Sequence, residues 1–480
     1  MADLSPIQNG EHLTLRRQLS LTAQLALPAI LAQMSSIIMQ YIDASMVGRI
    51  GEDGAASVGL MSSSLWLFWG ICSAVTTGFS VQVAHRLGGK EPDQARRVIR
   101  QGITSVLVVS TVMMLIGLLI ARPLPYWLGG DEAISPNAGL YFAVFVGALP
   151  ILTLSYLAGG VLRAAGNMKI PTILNISMCV IDVLLNWFLI FPTRPLEVLG
   201  HNIVMPGAGL GVLGAALGTV GAEIIVAAFL MWYMLCRQPD TRIKGRPHES
   251  FRPTAPVMRR AFKISMPMAL EHAIFCFAQV TITVIVAPLG NVAIAANAFA
   301  VTAESLCYMP GFGIGDAATT LVGQSLGAGR RDLIKRFCHL TVGLGIVVMT
   351  LMGVILYMCA PLMMHIMTDV EAIASLGTKV LRIEAFAEPL YAASIVAYGA
   401  FVGVGDTTLP AIMNFGSIWA VRIPLAALLA GTMGLPGVWI AMAIELSFRG
   451  IIFLWRMFSD KWLPKTSDAT PAVNASAYFN

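Results

Sequence analysis

A handful of residues carry oxygen ligands inside stretches that are otherwise apolar. Asp43 closes the first such run, Asp182 and Asn186 stand four apart in a later one, and Thr219 and Glu223 stand four apart in the next. Residues four apart share one face of a helix. Two carboxylates, an amide oxygen and a hydroxyl form a ligand set for a hard cation such as Na⁺, or a carboxylate pair that stores a proton. An ionised Asp in hydrocarbon costs at least about 2.5–3.5 kcal/mol, so such acids face protein or a watery cavity. A helix–helix hydrogen bond is the plainer role for each residue taken singly, and it suits Thr219 best. For Asp43 and Asp182 together the reading is a cation site, with Na⁺ as the metal the two carboxylates would hold. With both ionised they repel one another, so one keeps a proton until a cation displaces it. Na⁺ and H⁺ then compete for one site.

The elements that must position these residues are apolar runs near 19–48, 55–84, 98–121, 137–162, 171–193, 207–236, 260–288, 293–322, 336–367, 380–404, 409–431 and 436–457. Apolar residues make up 56% of the 480 and charged ones 12%. Soluble domains carry about 25% charged residues, so this is an integral membrane protein, all-α, with twelve transmembrane helices. The first run holds Pro28, which removes a helix hydrogen bond and makes a hinge. It recurs: Pro267 follows Pro28 by 239 residues. The same offset carries Leu87-Gly88 onto Leu326-Gly327, Asp93 onto Asp332, Gly166 onto Gly405, Pro171 onto Pro410 and Asn175 onto Asn414. One period through all these landmarks means two six-helix halves of one design, with Pro28 and Pro267 as paired hinges. Asp43 maps onto Ile282, so the charge belongs to the N-terminal half alone.

The resulting organisation is an N-terminal cytoplasmic segment 1–18, an N-lobe 19–236, a basic linker 237–259, a C-lobe 260–457 and a cytoplasmic tail 458–480. Of 31 Lys and Arg, 25 fall in alternate loops on one side, which by the positive-inside rule places both termini in the cytoplasm. An even span count per half makes the repeats parallel, and two such halves enclose a central cleft. Counted from the cytoplasmic ends, Asp43, Asn186 and Thr219 reach comparable depth in the outer part of the bilayer. The first eighteen residues lack the apolar core of a signal peptide. The seven cysteines are odd in number, lie in or beside apolar runs and include no CxxC, so no disulfide framework or cysteine metal site is expected. A net charge of +5, spread over short loops, points to no nucleic-acid surface. There is no GxxxxGK[ST] and no HExxH. The one GxGxxG, Gly209 to Gly214, follows a loop rather than a strand, so its glycines, with Gly218, are read as helix-packing positions. Without a nucleotide motif the driving force must be an ion gradient.

Several stretches together resemble the multidrug and toxic compound extrusion (MATE) family, over nearly the whole length from Leu19 to Met457. They are Asp43-x-x-x-Val47-Gly48, Leu87-Gly88-Gly89 with its copy Val322-Gly323-Gln324-Ser325-Leu326-Gly327-Ala328-Gly329, Leu162-Arg163-Ala164-Ala165-Gly166-Asn167 with its copy Gly403-Val404-Gly405-Asp406-Thr407, and Gly214 to Thr219. The resemblance implies a V-shaped twelve-helix fold and export of organic cations in exchange for Na⁺ or H⁺. It also implies an N-lobe ion site matching Asp43, Asp182, Asn186 and Thr219. The family's pair reads Asn-x-x-x-Asp or Asn-x-x-x-Asn where this chain has Asp182-x-x-x-Asn186, which moves the charge one turn deeper.

The C-terminal half has buried acids of its own, with Glu271, Glu304 and Glu388 as secondary coupling candidates. Glu271 resembles a family Glu of the seventh helix. Glu388 and Arg422, at similar depth on neighbouring spans, are expected to form a structural ion bridge. The 26 methionines fit a cleft that repacks around varied apolar cations. The reading is therefore a monomeric cation-coupled exporter in the inner, cytoplasmic membrane of a bacterium. Its partners would be a small organic cation or natural product and the surrounding lipid, and it needs no cofactor beyond the coupling ion, Na⁺ or H⁺. A flippase or dedicated exporter of a lipid-linked or natural-product cargo is the alternative within transport. A membrane-embedded enzyme lacks its nucleophile or metal cluster, and a scaffold has no reason to keep acids at matching depth.

Overall fold

The computed structural model describes residues 2–198, 201–243 and 250–464. Residues 244–249 of the expected linker and 465–480 of the expected tail lie outside them. The first half runs α1 (Ser5–Gln8), α2 (Leu15–Gly48), α3 (Glu52–Gly88), α4 (Pro92–Ile120), α5 (Leu124–Trp127), α6 (Ser135–Gly147), α7 (Leu149–Ala164), α8 (Lys169–Ile190), β1 (Pro192–Val198), β2 (His201–Ala208) and α9 (Gly211–Trp232). The second runs α10 (Ala255–Val286), α11 (Asn291–Gly327), α12 (Arg331–Met367), α13 (Glu371–Glu384), α14 (Glu388–Val404), α15 (Thr408–Ser417), α16 (Ile423–Met433) and α17 (Leu435–Phe458). Among the described residues ten helices are long and apolar enough to span a bilayer, α15 and α16 counting as one through a π turn at Ile418–Arg422. Two bent pairs complete the twelve: α6 with α7, at 47°, and α13 with α14, at 61°.

The bends are the repeat made visible. Pro150 and Pro389 stand in the first turn of α7 and α14 at the common offset, and each lacks the N–H that would have continued the preceding helix. The turns obey the same rule. Gly51 and Gly290 start α3 and α11 with φ of 129° and 95°, and Gly166 and Gly405 leave α7 and α14 with φ of 76° and 85°. Those angles are open to glycine and strained for other residues.

The two halves meet along α2 and α3 on one side and α10 and α11 on the other. The face that carries residues 2 and 464, the terminal face, is closed by a buried cluster drawn from both halves and both ends of the described chain. It includes Leu4, Ile7, Leu13, Met168, Phe337, Phe401 and Trp462. The first eighteen residues are thus less free than their polar composition suggests. Leu4, Ile7 and Leu13 are buried, Ala2 N–H donates to the Gly166 carbonyl at 3.2 Å, and Arg330 reaches the Glu11 carbonyl at 3.1 Å. The opposite face carries the β1–β2 hairpin, a two-stranded antiparallel sheet where the sequence suggested only a polar break.

Candidate cation site

Three helices bring the ligand set together. Pro28 lies inside α2, and its carbonyl accepts the Thr172 hydroxyl of α8 at 2.8 Å, which ties the two helices together below the site. Gly214 and Gly218 let α9 lie directly on α8: a Cβ at Gly214 would press on the Leu189 carbonyl, and one at Gly218 would collide with Asn186 Oδ1. The glycine-rich stretch is a packing device, although the structure puts it directly after strand β2, which ends at Ala208, where the sequence suggested a loop.

At the hairpin-side end of this three-helix contact, Asn186 Nδ2 donates to Asp43 Oδ1 at 2.9 Å and to Asp182 Oδ2 at 3.2 Å. The Thr219 hydroxyl and the Asp43 carboxyl also lie close to Asp182. Asp182 and Asn186 are fully buried and Asp43 is half-buried. Two oxygens here, Asp182 Oδ1 and Asn186 Oδ1, are buried with no hydrogen-bond partner among the described residues. A buried acceptor without a donor is costly; Asp182 Oδ1 is one that a proton or a small hard cation can satisfy, while Asn186 Oδ1 packs against Gly218. The donor set fits Na⁺. All four residues read from the sequence converge, Asn186 at the centre.

The secondary candidates in the other half separate. Glu271 of α10 accepts from Tyr398 Oη and from Asn414 Nδ2, each at 2.5 Å. Pro267, one turn before it, leaves the Lys263 carbonyl without its helical donor, and the Thr407 hydroxyl approaches that carbonyl at 3.4 Å. Glu304 and Glu388 are buried apart from Glu271, beside Glu384, which the sequence reading passed over as a site residue. Neither carboxyl oxygen of Glu384 or of Glu388 has a hydrogen-bond partner among the described residues.

The expected Glu388–Arg422 bridge is not formed. Arg422 instead pairs with Glu445 of α17, its Nε donating to Oε2 at 2.9 Å, and Arg449 donates to the other oxygen of the same carboxylate at 2.8 Å. Depth along the membrane normal was a poor guide to partners. Glu445 is buried, its Oε1 also accepts the Ser417 hydroxyl, and the π turn at Ile418–Arg422 directly precedes α16.

The MatE family model matches this chain twice, over residues 28–188 and 267–428, the two stretches opening on Pro28 and Pro267. The chain is a MATE family transporter. It is 23% identical over 441 residues to a probable multidrug resistance protein NorM of Thermotoga maritima, covering 92% of each chain. It is 27% identical over 455 residues to one of Burkholderia mallei, covering 92% of this chain and 93% of that one. Among solved structures, a MOP superfamily transporter of Pyrococcus furiosus superposes with a TM-score of 0.84 at 18% identity, over 93% of this chain and 97% of that one. A mutant of the Vibrio cholerae MATE transporter VcmN superposes with a TM-score of 0.84 at 16% identity, over 94% and 98%. At such identities the structures speak for the fold: the two-repeat MATE architecture, here with the bent fourth and tenth spans described above.

Proposed function

We propose that this MATE transporter is a secondary antiporter that exports amphipathic organic cations and takes up Na⁺ or H⁺ in exchange at Asp43, Asp182, Asn186 and Thr219. The observation that carries the reading is the Asp43–Asn186–Asp182 arrangement with its two unpartnered oxygens. As placed, the Asn186 amide gives both hydrogens to the carboxylates, which suits a pair holding a proton. For Na⁺ the amide would turn over and present its oxygen with those of the two acids and of Thr219. The names of the NorM relatives support an organic, drug-like cargo. The excess of Lys and Arg on the terminal face supports a cytoplasmic placement of both termini.

Pro28 and Pro267 are the hinges in this reading, and the lobes they serve are 19–236 and 260–457. The test uses proteoliposomes loaded with a fluorescent lipophilic cation, with Na⁺ and pH gradients imposed separately. Gradient-driven movement of the cation under either gradient, abolished by Asp43→Asn, is the expected result. Transport by wild type that ignores both gradients would overturn the proposal.

A further inference from the structure

The two halves lock together at the terminal face through residues related by the repeat, and this lock has no place in the ion site described above. His85 near the end of α3 and Gln324 near the end of α11 occupy equivalent positions, 239 apart. So do Ala164 at the end of α7 and Gly403 at the end of α14. His85 Nε2 bonds the Gly403 carbonyl of the opposite half at 2.7 Å, and Gln324 Nε2 donates to the Ala164 carbonyl of its own opposite half at 2.8 Å. Each half therefore puts one side chain onto the same backbone carbonyl of the other. Both side chains are buried, His85 at 8% exposure and Gln324 at 1%.

Each arm has a second support. Arg260 of α10 donates to His85 Nδ1 at 2.9 Å, which leaves Nε2 as the protonated nitrogen that donates to Gly403. On the other arm Gln8 of the N-terminal segment donates to Gln324 Oε1 at 3.2 Å. Between the arms the backbones touch. A Cβ at Gly88 would run into the Gln324 carbonyl, and a Cβ at the equivalent Gly327 would run into the His85 carbonyl. Only glycine at both positions lets α3 and α11 approach closely enough for the arms to reach.

We propose that His85 and Gln324 are positioning residues for alternating access: a pseudo-twofold latch, closed here, that must release both carbonyls before the terminal face can open to the cargo. The proposal rests on the transport reading for its purpose, while its geometry stands apart from the identity of the coupling ion. A latch made of two neutral hydrogen bonds is suited to a gate, because each is worth only a modest factor. Losing one should change the ratio of open to closed states roughly three- to tenfold.

The test is a distance distribution across the terminal face. Spin labels carried on unnatural amino acids at positions 169 and 408, both exposed and equivalent under the repeat, report the separation of the halves in lipid nanodiscs. Wild type should show a dominant short distance. His85→Ala and Gln324→Ala should each move population to a longer one, and the double variant further. His85→Gln should restore the short distance, since glutamine makes the equivalent bond in the other repeat. Gly88→Ala should open the face with both side chains intact, and it serves where an alanine variant of the latch fails to fold. Unchanged distances in the double variant and in Gly88→Ala would overturn the latch. If the distances respond while no variant, wild type included, moves cation under any gradient, the latch stands and the antiport reading falls.

Discussion

Asn186 hands a hydrogen bond to Asp43 at 2.9 Å from a helix that begins more than a hundred residues further along the chain, and the same nitrogen holds Asp182. An acceptor-only carboxylate on each side of one amide is an arrangement that needs a further positive charge to be complete, and it connects the end of α2 to α8. Whatever neutralises the pair also sets how tightly α2 is held against α8.

Removing one charge while keeping shape is the first test of that link. Asp43→Asn should leave folding and the thermal midpoint close to wild type, because an amide can replace the carboxylate beside Asn186 at little volume change. Gradient-driven transport should fall by at least tenfold. Retained transport with unchanged coupling would move the ion away from Asp43.

The pH dependence follows from competition. If one proton is shared by Asp43 and Asp182 and must leave before Na⁺ enters, Na⁺ affinity falls as pH drops. The change approaches about tenfold per pH unit where the proton is held, for one proton released per ion bound. Asp182→Asn should weaken Na⁺ binding and leave some proton response at Asp43. Calorimetric Na⁺ titrations of wild type and this variant between roughly pH 5 and 8 check it. An affinity independent of pH in that range would mean the two acids do not share a site, and Glu271, held by Tyr398 and Asn414, becomes the coupling residue to test.

Much of this was legible beforehand, for a physical reason. Prolines and glycines impose backbone geometry that does not depend on neighbours, so the offset joining Pro28 to Pro267 and Gly166 to Gly405 survives as paired prolines inside α2 and α10 and as paired left-handed turns. Residues four apart stay on one helix face whatever else happens, so Asp182 and Asn186 were bound to share a face. The lateral neighbours of a buried charge were not legible. Depth can be counted along a helix, but the direction around its axis depends on packing, and Arg422 therefore found Glu445 rather than Glu388. The packing of the N-terminal segment was not legible from its polar composition: three apolar residues, Leu4, Ile7 and Leu13, anchor it against the closed face. The bends at Pro150 and Pro389 share the offset and were open to the same reasoning that singled out Pro28 and Pro267.

Gly218 offers a way to damage the ion site without touching its charges. A Cβ there collides with Asn186 Oδ1, so Gly218→Ala should push Asn186 off one or both carboxylates. We expect Na⁺ affinity to fall about tenfold or more, with all four ligands present. Na⁺ titration paired with a thermal melt checks it: loss of binding at a melting temperature close to wild type is the expected outcome. Wild-type affinity would mean that Asn186 does not position the ion.

Glu445 and Glu388 should behave as opposites. Glu445 is the shared counter-charge of Arg422 and Arg449, so Glu445→Ala leaves two buried guanidinium groups without their carboxylate. Breaking a buried pair from one side costs about 3–5 kcal/mol, and the loss should appear in chemical unfolding of the detergent-solubilised protein. Glu388 has no such partner, and both its oxygens are buried without a hydrogen bond among the described residues. Glu388→Gln therefore replaces a buried acid that no cation pairs with, and stability should hold or rise. The two variants measured side by side separate the cases. A Glu388→Gln variant that unfolds as easily as Glu445→Ala would restore a structural pairing for Glu388 in the membrane. A stable Glu388→Gln variant with altered coupling would assign the Glu304–Glu384–Glu388 group a part in transport.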